Sequence, residues 1–350
     1  MGKRYVAYVG SYTFIGKSKG ITIYDVDVEA GRFTRRDEVE INNSSYLAVS
    51  HSRKYLYSVV DEGIASFRIL EDGGLEQMNI VSAQGMRGCY LFIDPTDRYI
   101  FISGYHDGKL TVLRIHENGS LGSITDFVFH KGIGSVAEKT HQPHISCVMM
   151  TPDCKYVCAV DSGIDQIKVY GFNYETGKLA LADIVRADLE SAPHHILFSN
   201  DGRFMYVVCE LKNHICVYSY DGSGGVPEFE LVQRIFTVRR NASSVSAACA
   251  IEMTSDNRYL FCSNAGDNSV CIFKRDAETG RLSVMRILPI SGDYPKDIGL
   301  FPDDKHLFSV NHESGSLTFF TVNYEKGLIV MNQVPISVDE PNCGLIVELL

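Results

Sequence analysis

The sequence predicts an all-β protein, a seven-bladed β-propeller with four antiparallel strands in each blade. Three observations lead there. A turn-plus-strand signature recurs about every 50 residues, with strand starts at 5, 55, 99, 156, 204, 259 and 306. Each recurrence is followed by two more strand-like runs. The strand missing from the first unit is found at the end of the chain.

The signature reads KRYVAYVGS (3–11), SRKYLYSVV (52–60), TDRYIFISGY (96–105), DCKYVCAVD (153–161), DGRFMYVVC (201–209), DNRYLFCSN (256–264) and DDKHLFSVN (303–311). A third strand follows in each copy, as in GITIYDVD, QIKVYGFN and SLTFFTV. The fourth usually opens on Gly and a bulky residue, as in GRFTRRDEVE, GKLALADIV and GRLSVMRIL. Runs of this length, rich in Val, Ile, Tyr and Phe and separated by Asp-Gly-like turns, form antiparallel hairpins. Six copies are preceded by a further apolar run, such as HISCVMM or HHILFS. The first copy has none, and PNCGLIVELL (341–350) supplies it. A C-terminal strand that completes the N-terminal blade closes the ring and hides the sheet edges. The whole of 1–350 is therefore expected to be one propeller domain.

Composition narrows the function. Of 350 residues, 45% are hydrophobic, enough for a large core, and the formal charge of −10 opposes a nucleic-acid surface. The N-terminal MGKRYVAYVGSY has no apolar run of signal-peptide length, and no segment is long enough to span a bilayer, so a cytoplasmic protein without membrane contact is expected. The ten cysteines are scattered through strand-like runs and read as reduced core thiols. Cys154 and Cys158 have a zinc-like spacing, but one falls in a turn, the other in a strand, and no second pair is near. The regular repeats favour a monomer.

With the blades aligned, the chain resembles the seven-bladed lactonase family, which includes a bacterial type of 6-phosphogluconolactonase and a fungal muconate lactonising enzyme. QPHISCVMMTPD, APHHILFSNDG with its following CEL, SAACAIEMTSDNRYLFCSNAG and YPKDIGLFPDDKHLF bear the similarity. The resemblance implies polar residues at the mouth of the central channel. A histidine pair of the family keeps its first member as His144, and Ser146 takes the second position. An arginine in the family's P-R-H pattern is His194 here, with the following histidine kept as His195. The glutamate of the N-E-L pattern is kept as Glu210. An arginine in the N-R-G pattern is Ala265, and that of the P-R-D pattern is Lys296, with Asp297 kept. Loss of guanidinium forks, which grip phosphate bidentately, points toward an unphosphorylated lactone.

Alignment of the repeats gives candidates independently. The end of each second strand presents Ser11, Asp61, Tyr105, Ser162, Glu210, Ala265 and His312. The start of each inner strand presents Ser45, Cys89, Ser146, His194, Cys249 and Lys296. His144 lies two residues before Ser146, so strand alternation predicts that both face the channel, whereas His195 should turn away from it and pack between blades. His106, His130 and His141 are expected at the surface, and the loop 129–144, the longest insertion, is expected to cover one face. Asp161 is expected to face its own sheet.

The expected activity is hydrolysis of a sugar lactone. Glu210 is the candidate general base, with His144 and His194 as polarising or proton-transfer partners. Lys296, Ser146, His312, Tyr105 and Asp297 are candidate substrate contacts, Lys296 the main anion contact. No cofactor is required by this reading. One alternative is a divalent-metal-dependent sugar isomerase or cyclase with His144, His194, Glu210 and His312 as ligands. Another is a non-catalytic binding platform, although a chain with no tryptophan lacks the usual WD signature.

Overall fold

Seven four-stranded antiparallel sheets stand around one axis in the computed structural model, which describes residues 2–134, 142–239 and 246–350. The described residues contain no helix, hence none long and apolar enough to cross a membrane. Blade one consists of Pro341–Glu348, Tyr5–Ser11, Gly20–Asp27 and Arg32–Glu40. Its first two strands pair antiparallel from Tyr5↔Glu348 to Ser11↔Pro341, which closes the ring with the expected strand. Blades two to seven follow in sequence, with second strands beginning at Tyr55, Tyr99, Tyr156, Phe204, Tyr259 and His306, the aligned positions.

The recurring turn has a local cause. In blade four the Thr151 hydroxyl accepts from Tyr156 N (3.1 Å) and donates to Asp153 Oδ1 (2.6 Å), which accepts from Lys155 N (3.3 Å). Blade five repeats this with Ser199, Asp201, Arg203 and Phe204, and blade six with Thr254, Asp256, Arg258 and Tyr259. The residue two before the strand is left-handed in six blades: Arg53, Asp97, Cys154, Gly202, Asn257 and Asp304, with φ between 56° and 73°. Gly, Asn and Asp tolerate that region best, which is why the signature reads D-G, D-N or D-D. Cys154 is thereby fixed in a turn, half-buried, while Cys158 is buried in the sheet.

Blades are stapled to one another by tyrosine. Tyr8, Tyr57 and Tyr206 hydroxyls donate to the carbonyls of Gly73, Gly119 and Gly280 in the next blade (2.8, 2.9 and 2.9 Å), and Tyr99 donates to Tyr174 O at 2.9 Å. Those glycines sit at φ of 87°, 83° and 68°. A Cβ on Gly280 would lie 2.3 Å from the Phe204 ring, and one on Gly119 would lie 2.2 Å from Tyr55. The glycine that usually opens the fourth strand thus meets a packing requirement between blades as well as a turn.

Between the blades lies a ring of apolar clusters. The seam between blades one and two packs Val6, Tyr8, Leu56, Phe67, Cys343 and Val347. Placing a carboxylate there, as in Val347→Asp, buries a charge in the closing strand and is expected to lower unfolding free energy by about 4 kcal/mol. Urea denaturation checks this; a loss below about 1 kcal/mol would show that closure contributes little.

Candidate active site at the channel mouth

A cavity of about 310 Å³ opens at one end of the central channel. The six inner-strand positions aligned by sequence, Ser45, Cys89, Ser146, His194, Cys249 and Lys296, all line it, and Asn342 from the closing strand is the seventh. A β-bulge at this place in the inner strand explains the convergence. Register shifts fall between Ile145 and Cys147, Pro193 and His195, Ala248 and Ile251, and Pro295 and Asp297, with a matching shift where Ser11 meets Pro341. Each bulge leaves an extra residue out of the ladder and turns it toward the axis.

The same bulges overturn two expectations based on alternation. His195 lines the cavity beside His194 instead of packing between blades. His144 does not line it: its N–H donates to Asp161 Oδ1 (2.8 Å) and its Nδ1 meets Tyr105 O at 2.6 Å. The buried ring stacks on Tyr105 with centroids 4.4 Å apart, so His144 supports a wall residue without itself lining the cavity. Of the second-strand-end set, Tyr105 and Glu210 line the cavity, whereas Ser11, Asp61, Ser162, Ala265 and His312 do not. His312 is held by Pro341 O (Nδ1, 2.9 Å) and meets Tyr12 edge-on at 5.9 Å, behind the wall. Asp161 is buried, its Oδ1 accepting from His144 N and Gly163 N, and its Oδ2 meets at 2.7 Å a His130 that is buried and not at the surface. His106 is exposed at the cavity rim. His141 and the middle of the 129–144 loop lie outside the described residues.

Glu210 and His194 are neighbours, Oε2 to Nε2 4.0 Å, each half-buried. The Ser146 hydroxyl donates to His194 O (2.8 Å) and pins the bulge that presents the imidazole. Across the cavity, Lys296 Nζ donates to Asn342 Oδ1 at 2.5 Å and stands 5.0 Å from the centre of the Tyr12 ring. Arg87 lies over the other part of that wall, 5.0 Å from Tyr12 and 3.1 Å from Asp61 Oδ1. Arg87, Tyr12, Tyr46, Tyr90 and Asn342 were not among the sequence candidates. Arg87 occupies in blade three the place that His144 occupies in blade four, two residues before the bulge position. Applying that offset to every blade would have found it.

Below the mouth the channel continues past Tyr46, Tyr90, His195, Asp297 and Glu252. Tyr46 and Tyr90 pack with ring centres 4.3 Å apart, and Tyr90 Oη meets His195 Nε2 at 3.2 Å. Burial dominates the ionisation here. It pushes His195 down to about 3, and raises Glu252 to about 8 and Asp297 to about 7. Two backbone donors, Gly344 N at 2.9 Å and Ile298 N at 3.0 Å, oppose the rise at Asp297, and the first ties blade seven to the closing strand.

The expected metal set His144, His194, Glu210 and His312 is not assembled, because the outer two rings are turned behind the wall and engaged by carbonyls. Among the described residues, one group brings three ligand atoms within 4.8 Å of one another, and it is a different one: Cys209, His214 and Cys216.

Fold and site together define a seven-bladed propeller enzyme scaffold with an acid–imidazole pair and two cations at one channel mouth. Residues 6–346 match the family model of the lactonase, 7-bladed beta-propeller, and the chain belongs to that family. It is 29% identical over 346 residues to a Bacillus subtilis protein named 6-phosphogluconolactonase, covering 97% of each chain. The structure of the periplasmic gluconolactonase of Pseudomonas aeruginosa superposes with a TM-score of 0.92 at 25% identity, over 99% of this chain and 100% of that one. A protein from Lactobacillus plantarum gives a TM-score of 0.90 at 27% identity, with coverage of 99% and 100%.

The raised carboxyls set a pH signature. An acid that holds its proton more tightly folded than unfolded withdraws stability as pH rises from its unfolded to its folded pKa. Thermal stability is expected to decline from about pH 4 to the folded values near 7 and 8. The decline should flatten in Asp297→Asn combined with Glu252→Gln. Identical wild-type and variant slopes across that window would refute the assignment.

Proposed function

We propose that the protein hydrolyses a δ-lactone of an aldonic acid, and that a phosphate on the far end of the sugar is held by Arg87. The observation that supports this most directly is the Glu210–His194 pair facing two cations across one cavity. The Glu210 carboxylate takes a proton from water as the water oxygen attacks the lactone carbonyl carbon. The carbonyl electron pair moves onto oxygen, and Lys296 faces the resulting oxyanion from within the cavity. Collapse breaks the bond to the ring oxygen, which leaves as the sugar hydroxyl after taking a proton from Glu210 or the neighbouring imidazole. Tyr12, Tyr46, Tyr90 and Tyr105 offer ring faces for the sugar.

Family membership and the names of the relatives support a lactone as substrate. Arg87 supports the phosphorylated form, because it restores a guanidinium that the replacements at His194 and Ala265 had removed. A cytoplasmic location belongs to the same reading: the ten cysteines are free thiols, as a reducing compartment keeps them.

The test is pH-stat hydrolysis of gluconolactone and its 6-phosphate, corrected for the spontaneous reaction. Glu210→Gln is expected to lower kcat by at least about 100-fold. Arg87→Ala is expected to raise KM for the phosphorylated lactone about 10- to 100-fold and leave the other nearly unchanged. Wild-type rates equal to buffer on both substrates would end the lactonase reading; equal effects of Arg87→Ala on both would end the phosphate assignment alone.

A further inference from the structure

Cys209, His214 and Cys216 are not used by the reading above, and among the described residues they are the group whose ligand atoms converge as a metal would need. Cys209 ends the second strand of blade five (Phe204–Cys209), and His214 begins the third (His214–Asp221). The ladder pairs Cys209 with His214 and Val207 with Cys216. Because side chains alternate, all three project from one face of the hairpin. They are buried, with His214 4% exposed. The two sulfurs are 3.9 Å apart, and one ring nitrogen of His214 lies within 4.8 Å of both.

Those spacings suit a tetrahedral ion. Zinc–sulfur bonds of about 2.3 Å at the tetrahedral angle separate two sulfurs by about 3.8 Å. Two further atoms mark the place as incomplete. His214 Nε2 is buried and makes no hydrogen bond of normal geometry, and the buried Ser191 hydroxyl meets nothing but the Cys209 thiol. An imidazole nitrogen stranded beside two thiols is costly unless something accepts its lone pair or its proton. Two thiolates also neutralise a divalent cation, so the filled site would bury no net charge.

We propose that Cys209, His214 and Cys216 bind a structural zinc ion, with Ser191 beside the fourth coordination position. The ion would clamp the two ends of the turn formed by Glu210, Leu211, Lys212 and Asn213. Glu210 is the residue immediately after Cys209, so the clamp fixes the turn that presents this carboxylate to the cavity. The site is separate from the cavity, and its occupancy can be measured whatever the cavity turns over.

The experiment uses the full chain without a histidine tag, purified without chelator. Zinc content by inductively coupled plasma mass spectrometry is expected to be one ion per chain after loading. Exchange with Co²⁺ is expected to give the near-ultraviolet thiolate-to-cobalt absorption and the visible bands of a tetrahedral ion. EDTA should abolish both and lower Tm by several degrees. The bands should also be lost in Cys216→Ser and His214→Phe and retained in Cys154→Ser. Wild-type protein that takes up no zinc and gives no thiolate–cobalt band overturns the proposal, and this arm needs no variant to fold. A Cys209–Cys216 disulfide found by alkylation and mass spectrometry of fresh protein overturns it as well.

Discussion

Seven sheets meet around one axis only if the last strand hydrogen-bonds to the first, and here that ladder joins Pro341–Glu348 to Tyr5–Ser11. Each blade alone would expose an apolar face on both sides, and each inner strand would lack the neighbours that fix its tilt. Closure removes these faces at once. It also delivers Asn342 to the cavity beside Lys296, and Gly344 N to the Asp297 carboxylate, so the active mouth is partly built from the two ends of the chain. The tyrosine staples between blades then fix the distance from one bulge to the next.

Electrostatics along the channel change with depth. At the mouth, Glu210, His194, Lys296 and Arg87 share a cavity open to solvent, where charges are hydrated and available to a substrate. Deeper, His195, Asp297 and Glu252 are driven toward their neutral forms by burial. The floor therefore contributes hydrogen-bonding groups with little charge, while the solvent-facing carboxylate, imidazole and cations are gathered at the rim. Lactone opening suits that division, since its charge develops where water and substrate meet.

The fold was legible because its causes are local and repeated. The Thr/Ser-x-Asp turn of blades four to six and the left-handed residue that six blades share are short-range features, and seven copies of the strand signature make each strand start unambiguous. Ring position was legible too: six aligned inner-strand residues all reached the cavity, since equivalent strands begin at equivalent places around the axis. The bulge itself was not legible. An extra residue outside a ladder leaves no mark in hydrophobic alternation, and so His144 was assigned to the channel and His195 to the interior of the blades. Arg87 went unnoticed because it sits before its strand in a segment, QGMRGCY, that lacks the proline found in APHH, YPKD and EPNC. His130 looked like a loop residue because its partner Asp161 is 31 positions away.

The placement of the cavity residues on bulges has a further effect on how such a molecule diversifies. A residue outside the ladder can be exchanged without breaking the strand hydrogen bonds on either side, and its side chain borders the cavity. Serine, cysteine, histidine, lysine and asparagine already occupy the seven equivalent places in this one chain. The scaffold thus keeps its architecture and its recognition chemistry in separate sets of residues. A single substitution at the ring would therefore reshape the cavity while the ladders of the blades that hold the ring stay as they are.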